Sequence, residues 1–566
     1  MEQVPENQQN YWRSYGLWIA LGALFFIPFL GGVHLFDWDE INFAEISREM
    51  LVRGDYLQVR IDYEAFFQKP PLFFWLQVWA MQLFGQNDFA ARFPNAICGI
   101  LTLLVLYRLG RHLFNHRFGM IWALTFMGSV LPFLYFKSGI IDPYFNLFIF
   151  LGLYYIILAY WKKDQFELEI KKNKWVHLLV AGLFLGLAIL TKGPVALFLV
   201  GLTLLVYWVY QRFRFYINIP EALVFISVAI LVTGLWFGAE TLRNGPAFFQ
   251  SFIAYNIELA ATESAGHGGF PGYHFVVLLI GCFPASIFAI RAFRKFPPAP
   301  KDFQNDFRIW MLILFWVVVI VFSVVESKIV HYSSLCYFPI TFLASRVLYQ
   351  IQEGKLPLAA WMRRSLWLVI ILYSLAVFLI PFIGLNPGRI QALLDDPFAR
   401  ANLNANVYWS GLEFLPALLW IGLLIWALQN FRKGKSWKGT KILFGGTSVV
   451  VLLLLVFFVK RVEGYSQRSN IEFFKSLVDD DVYVYTYGYK SYAHLYYAKK
   501  LYDPDAGLRA IPQDQRQDWL MNSPDLDKPV YFSVRIHRAK DLEAHPNFVE
   551  VESKNGFVFF LREPFD

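Results

Sequence analysis

Asp39 and Glu40 stand side by side just after the first apolar run, and Lys69 follows in the same polar stretch, immediately ahead of Pro70 and Pro71. Each proline fixes its own φ, so two in succession hold the backbone beside the lysine and give its ammonium a defined place. A fixed cation at the level of lipid headgroups suits a lipid-linked phosphate. A carboxylate nearby suits removal of a proton from an incoming hydroxyl. Together these residues imply transfer chemistry at a membrane surface. Acids at the end of an apolar run are also ordinary loop residues, so the elements that position them matter.

Those elements are apolar helices. The 566 residues are 57% hydrophobic, 19% aromatic and 17% charged, whereas soluble domains carry roughly 25% charged residues. Apolar segments of near-spanning length fall at 17–34, 91–107, 119–136, 143–161, 176–190, 195–210, 220–238, 273–290, 309–325, 333–349, 365–384, 412–429 and 442–459, thirteen in all. The expected fold is a polytopic α-helical membrane protein, with a single large soluble core excluded. No small-residue cleavage site closes the run from Leu17 to Gly32, so it reads as a retained span. Cys98, Cys282 and Cys336 all sit in apolar runs without metal-ligand spacing, which argues against a disulfide framework or a zinc knuckle.

The net charge of +8 reflects topology rather than nucleic-acid binding. With the N-terminus inside, the inner segments hold 25 Lys/Arg and the outer ones before residue 460 hold ten. The positive-inside rule then sets the N-terminus in and the C-terminus out. Three outer segments result. Residues 37–88 contain two short amphipathic stretches, EINFAEISREML and PPLFFWLQVWAMQLF, expected to lie as helices at the interface. Residues 239–272 include the glycine-rich SAGHGGFPG. Residues 460–566 are polar: 482–489 and 529–536 alternate as strands do, SYAHLYYAKK reads as a helix, and FVEVESKNGFVFFLRE reads as a hairpin turning at Asn555–Gly556. The expected domains are therefore a membrane domain, 1–459, and a small outer α/β domain, 460–566.

An ordered set of residues in the first outer loop resembles the GT-C membrane glycosyltransferases. It comprises Asp39-Glu40, Phe43-Ala44-Glu45, Met50, Lys69-Pro70-Pro71-Leu72, Phe74-Trp75, Phe84-Gly85 and Arg92-Phe93-Pro94. The pattern is similar to that of the protein O-mannosyltransferases and of the transferases that add 4-amino-4-deoxy-L-arabinose to lipid A. It continues more weakly through Asp142, Thr191-Lys192-Gly193-Pro194, His267, Ser327-Lys328, Tyr332 and Pro339, and so covers about the first 345 residues. Thirteen spans with an outer C-terminal domain look most like the aminoarabinose branch.

The resemblance implies a GT-C fold in a bacterial inner membrane. It also implies a polyprenyl-phosphate sugar donor, membrane lipids as surroundings, and a lipid or protein acceptor, with no nucleic-acid partner. Asp39 would be the catalytic acid/base or would orient the acceptor, with Glu40 beside it as a further catalytic candidate and Asp142 nearby as a second carboxylate. Lys69, Lys192 and Lys328 would bind the donor phosphate, and Arg243 would assist. A single displacement inverts the sugar and requires no cofactor. The branch resembled has an acid before the Lys-Pro-Pro lysine that, with a loop histidine, looks able to hold a divalent metal. Here Gln68 replaces the acid and is a poor ligand, which leaves His267 as the candidate metal residue. Glu258 stands where a basic residue is expected and points to a different sugar or acceptor. The alternative is a flippase of lipid-linked sugars, which tends to show internal repeats and interrupted helices at mid-membrane.

Overall fold

The computed structural model describes residues 8–166, 168–261, 269–293, 302–500 and 507–564. Each of the thirteen expected segments overlaps a helix or a bent helix pair, although the first helix, Gln8–Phe26, starts earlier and ends well short of residue 34. Among the described residues, eight helices are long and apolar enough to cross a membrane, and ten if each of two bent pairs is one span. The chain is a multi-pass membrane protein. The other three segments fall on Gln8–Phe26, Val195–Tyr210 and Tyr337–Gln352, which do not meet that measure. In Tyr273–Gly281 and Ala285–Ala292 the helix turns by 116°. Pro284 lies at the break, where its ring and missing N–H prevent a continuous helix.

One expectation is corrected. The first stretch of the outer loop forms a helix, Asp39–Arg53, but it does not lie on lipid. Every residue from Glu40 to Met50 is buried. Its apolar residues Ile41 and Ala44 share a core with Ala90, Ala91, Phe474 and Tyr496, so the C-terminal domain roofs it. Its polar face is closed internally, with Arg48 Nε 2.7 Å from Glu45. Between this helix and the next, Leu72–Phe84, the chain makes a hairpin of β1 (Arg60–Ile61) and β2 (Glu64–Ala65).

The C-terminal domain is the expected α/β unit. Its strands are β3 (Tyr483–Tyr487), β4 (Val530–Arg535), β5 (Val549–Lys554) and β6 (Phe557–Arg562), in the order β3-β4-β6-β5. β3 and β4 are parallel and the other pairs antiparallel. Asn555 and Gly556 both have positive φ, 50° and 84°, which fits the tight turn between β5 and β6. Edge strand β5, VEVESK, is exposed throughout and carries charges that discourage further pairing.

Candidate functional site

The membrane helices and the C-terminal domain enclose a cavity of about 1240 Å³ whose walls include Asp39, Lys69, Asp142 and Lys192. Two helix starts supply the carboxylates. Asp39 opens Asp39–Arg53 and Asp142 opens Asp142–Lys163, where the helix dipole favours negative charge. A helix end supplies one cation: Lys192 closes Lys174–Lys192, and Gly193 follows at φ 118°. A Cβ on Gly193 would come within 2.8 Å of the Phe252 ring, so the turn needs glycine.

Lys192 Nζ lies 2.6 Å from Asp142 Oδ1 and faces the rings of Tyr332 and Phe145 at 5.1 and 5.8 Å. Asp142 is buried, whereas a third of the Asp39 side chain remains exposed. Between the two carboxylates stands His331, its Nε2 3.6 Å from Asp39 Oδ2 and 3.8 Å from Asp142 Oδ2. Burial lowers the pKa of this imidazole, against the opposing pull of Asp142 and Asp39.

Lys69 sits just ahead of the Pro70-Pro71 step. Its ammonium donates to the Gln68 carbonyl at 3.2 Å and lies 5.1 Å from the centre of the Tyr255 ring. Burial lowers its pKa to about 8, helped by the charge of Lys192 and opposed by Asp39 and Asp142. A desolvated ammonium without a close carboxylate gains most from an incoming anion.

Glu40 also lines the cavity, but its carboxylate, expected to be catalytic, is taken up in an ion pair with Arg92. Its carboxylate meets Arg92 at 2.7 and 2.9 Å and accepts from the N–H groups of Phe36 (3.0 Å) and Gly139 (2.5 Å). Burial pushes its pKa up, but Arg92 and these donors bring it below the ordinary range. Arg92 also donates to the carbonyls of Leu30, Val33 and His34. This cluster ties the loop before Asp39 to the loop before Asp142, which is why both acids face one cavity.

Lys328 is likewise displaced from its expected role. Its ammonium donates to the carbonyls of Phe322 (3.3 Å), Ser323 (2.8 Å) and Val325, capping the helix Phe303–Val324. It is not among the residues that line the cavity. Arg243 pairs with Asp55 at 3.3 Å, also away from the cavity lining. His267 lies outside the described residues. Among the described residues, no group of three His, Cys, Asp or Glu side chains is placed to hold a metal ion.

His331 and Tyr255 escaped the sequence reading. His331 neighbours Tyr332, which was flagged, but a single histidine at the end of an apolar run carries no spacing signal. From the C-terminal domain, Lys490 and Tyr492 reach the same cavity, with Lys490 Nζ 5.3 Å from the Trp38 ring.

A family profile described as dolichyl-phosphate-mannose-protein mannosyltransferase matches residues 68–237. The chain is 25% identical over 477 residues to an undecaprenyl phosphate-alpha-4-amino-4-deoxy-L-arabinose arabinosyl transferase of Pectobacterium carotovorum, covering 82% of this chain and 80% of that one. A protein of the same name from Photorhabdus laumondii is 27% identical over 346 residues, 60% of this chain and 61% of its own length. The crystal structure of ArnT from Cupriavidus metallidurans bound to undecaprenyl phosphate superposes with a TM-score of 0.74, covering 98% of each chain at 18% identity. That likeness is one of fold.

Proposed function

We propose that this chain is a membrane glycosyltransferase of the superfamily that holds the protein O-mannosyltransferases and the aminoarabinose transferases, and that it moves a sugar from polyprenyl phosphate to a lipid or protein acceptor at the outer face of the inner membrane. The observation that carries the reading is the pairing, in one cavity, of a half-buried ammonium with no ion-pair partner among the described residues, Lys69, and an accessible carboxylate, Asp39. The relatives named for undecaprenyl phosphate support the same carrier lipid here. Their names describe transferases, so the flippase alternative is not taken further.

In the proposed reaction the acceptor oxygen attacks the anomeric carbon and its proton passes to Asp39. The bond between that carbon and the phosphate oxygen breaks, and the electron pair leaves with the polyprenyl phosphate. Lys69 meets the charge that grows on the phosphate, where a fixed donor counts most. Lys192 adds a second positive charge while keeping Asp142 in place. One displacement inverts the configuration of the sugar.

Mass spectrometry of glycolipids and glycoproteins tests the reading, comparing cells carrying the wild-type gene with cells carrying Asp39→Asn. One sugar increment, present in one class of molecule, is expected to vanish in the variant. If neither class changes, the reading is wrong.

A further inference from the structure

The β1–β2 hairpin makes a turn that its own residues disfavour. Asp62 and Tyr63 both have positive φ, 56° and 63°. That pair of conformations belongs to tight two-residue turns in which Asn-Gly is preferred, because a Cβ there crowds the backbone. The two-residue strands on either side are too short to enforce it.

Arg60 donates to the Tyr63 carbonyl at 3.1 Å from within the hairpin, and the charged contacts to Asp62 come from the C-terminal domain. Arg509 Nη1 lies 2.6 Å from the Asp62 carboxylate and donates to the Asp62 carbonyl at 2.7 Å, while its guanidinium covers the Tyr63 ring at 4.3 Å. Arg516 reaches Asp62 at 3.3 Å and Glu64 at 2.5 Å. From below, the Glu49 carboxylate accepts from the Tyr63 N–H at 3.0 and 3.2 Å. Both arginine side chains are almost wholly enclosed, 2% and 4% exposed, and removing the two together leaves Asp62, itself largely enclosed, without a counter-charge. The hairpin also forms part of the cavity wall through Ile61, Glu64 and Ala65, and the chain runs from β2 through residues 66–68 straight to Lys69.

We propose that Arg509 and Arg516 are positioning residues through which the C-terminal domain holds the Lys69 segment in its phosphate-binding place. The inference rests on the reading of Lys69 as the ligand of the donor phosphate. Without the two guanidinium groups, Asp62 and Tyr63 relax toward negative φ and the strands splay. The ammonium of Lys69 then leaves its place over Tyr255.

Binding of undecaprenyl phosphate to the full-length protein in detergent tests this. Arg509→Gln with Arg516→Gln is expected to weaken binding by about tenfold or more, as misplaced charges do. Adding Asp62→Asn with Tyr63→Gly, a pair that takes the turn unaided, is expected to restore affinity to within about threefold. A role confined to domain docking gives no such rescue, and absence of rescue overturns the inference. If the arginine variants bind as wild type while Lys69→Ala binds weakly, the inference falls and the donor reading stands. If Lys69→Ala binds as wild type, both fall. Should the double arginine variant not fold, Arg516→Gln alone is compared on the native turn and on the Asn-Gly turn. Weaker binding on the native turn only supports the inference, and any other pattern overturns it.

Discussion

The Nε2 of His331 lies 3.6 Å from the Asp39 carboxylate, one small side-chain adjustment beyond a hydrogen bond. Burial keeps this imidazole below its ordinary pKa, so at neutral pH it is uncharged and has one N–H to offer. Lys192 takes Asp142 Oδ1 at 2.6 Å, while Asp142 Oδ2 is buried without a hydrogen-bond partner among the described residues and lies 3.8 Å from the same ring nitrogen. The imidazole N–H thus stands between two carboxylates, and turned toward the accessible Asp39 it would hold that carboxylate at the angle from which it takes a proton.

Asp39→Asn removes the proton acceptor while keeping size and polarity. The expected outcome is a fall in kcat of roughly 10²–10⁴-fold, with undecaprenyl phosphate affinity changed by no more than about threefold at about pH 7, because the amide breaks none of the contacts that place Lys69. Transfer kinetics beside equilibrium binding separate the two effects. A variant that keeps its rate places the base elsewhere.

His331→Gln is expected to lower kcat by about tenfold or more while KM stays near wild type, since the residue acts through Asp39. The decisive comparison is the double variant. If His331 works only by orienting Asp39, Asp39→Asn with His331→Gln is no slower than Asp39→Asn alone. Additive losses would give His331 an independent role.

Lys69 supplies the pH dependence. Burial, with the charge of Lys192, brings the pKa of its ammonium down to about 8. A bound phosphate favours the charged form and raises that value. Above about pH 7, where the phosphate monoester with its second pKa of about 6 is already doubly charged, affinity for undecaprenyl phosphate falls as pH rises through 8 and beyond, the cation being lost on the alkaline side. Lys69→Arg, which stays protonated throughout, should flatten the profile between pH 7 and about 10. Lys69→Ala should weaken binding at pH 7 by about 1.5–3 kcal/mol, the scale of a hydrogen bond to a charged group. A wild-type profile without an alkaline limb would exclude Lys69 from the phosphate.

The membrane bundle was legible because run length and apolar composition report directly on bilayer thickness, and the Asn555–Gly556 hairpin was legible because both residues suit positive φ. The β1–β2 hairpin was not. RIDYEA contains no Gly or Asn, and its turn depends on Arg509, which donates to Asp62 across 447 positions of sequence. Glu40 was misread for a related reason. An acid beside Asp39 looks like a second catalytic group until Arg92, 52 positions away, is seen to take both its oxygens. The buried helix Asp39–Arg53 looked interfacial because its polar residues, Glu45 and Arg48, satisfy each other rather than water. In each case the partner, absent from the local pattern, fixes the role.

Lys328 shows the same lesson as a prediction. A lysine after an apolar helix on the outer side looks like a phosphate ligand. Its ammonium instead donates to the carbonyls of Phe322, Ser323 and Val325, groups that end a helix without partners of their own. Lys328→Met keeps most of the buried stem and removes those donors. It is expected to destabilise the protein by about 1–3 kcal/mol, the cost of leaving buried carbonyls unpaired, read as a lower thermal midpoint in detergent. Undecaprenyl phosphate affinity, measured well below that midpoint, should stay within about twofold of wild type, because the cap does not line the cavity. The reverse result, lost affinity at unchanged stability, would return Lys328 to the donor phosphate and move that phosphate toward the helix end.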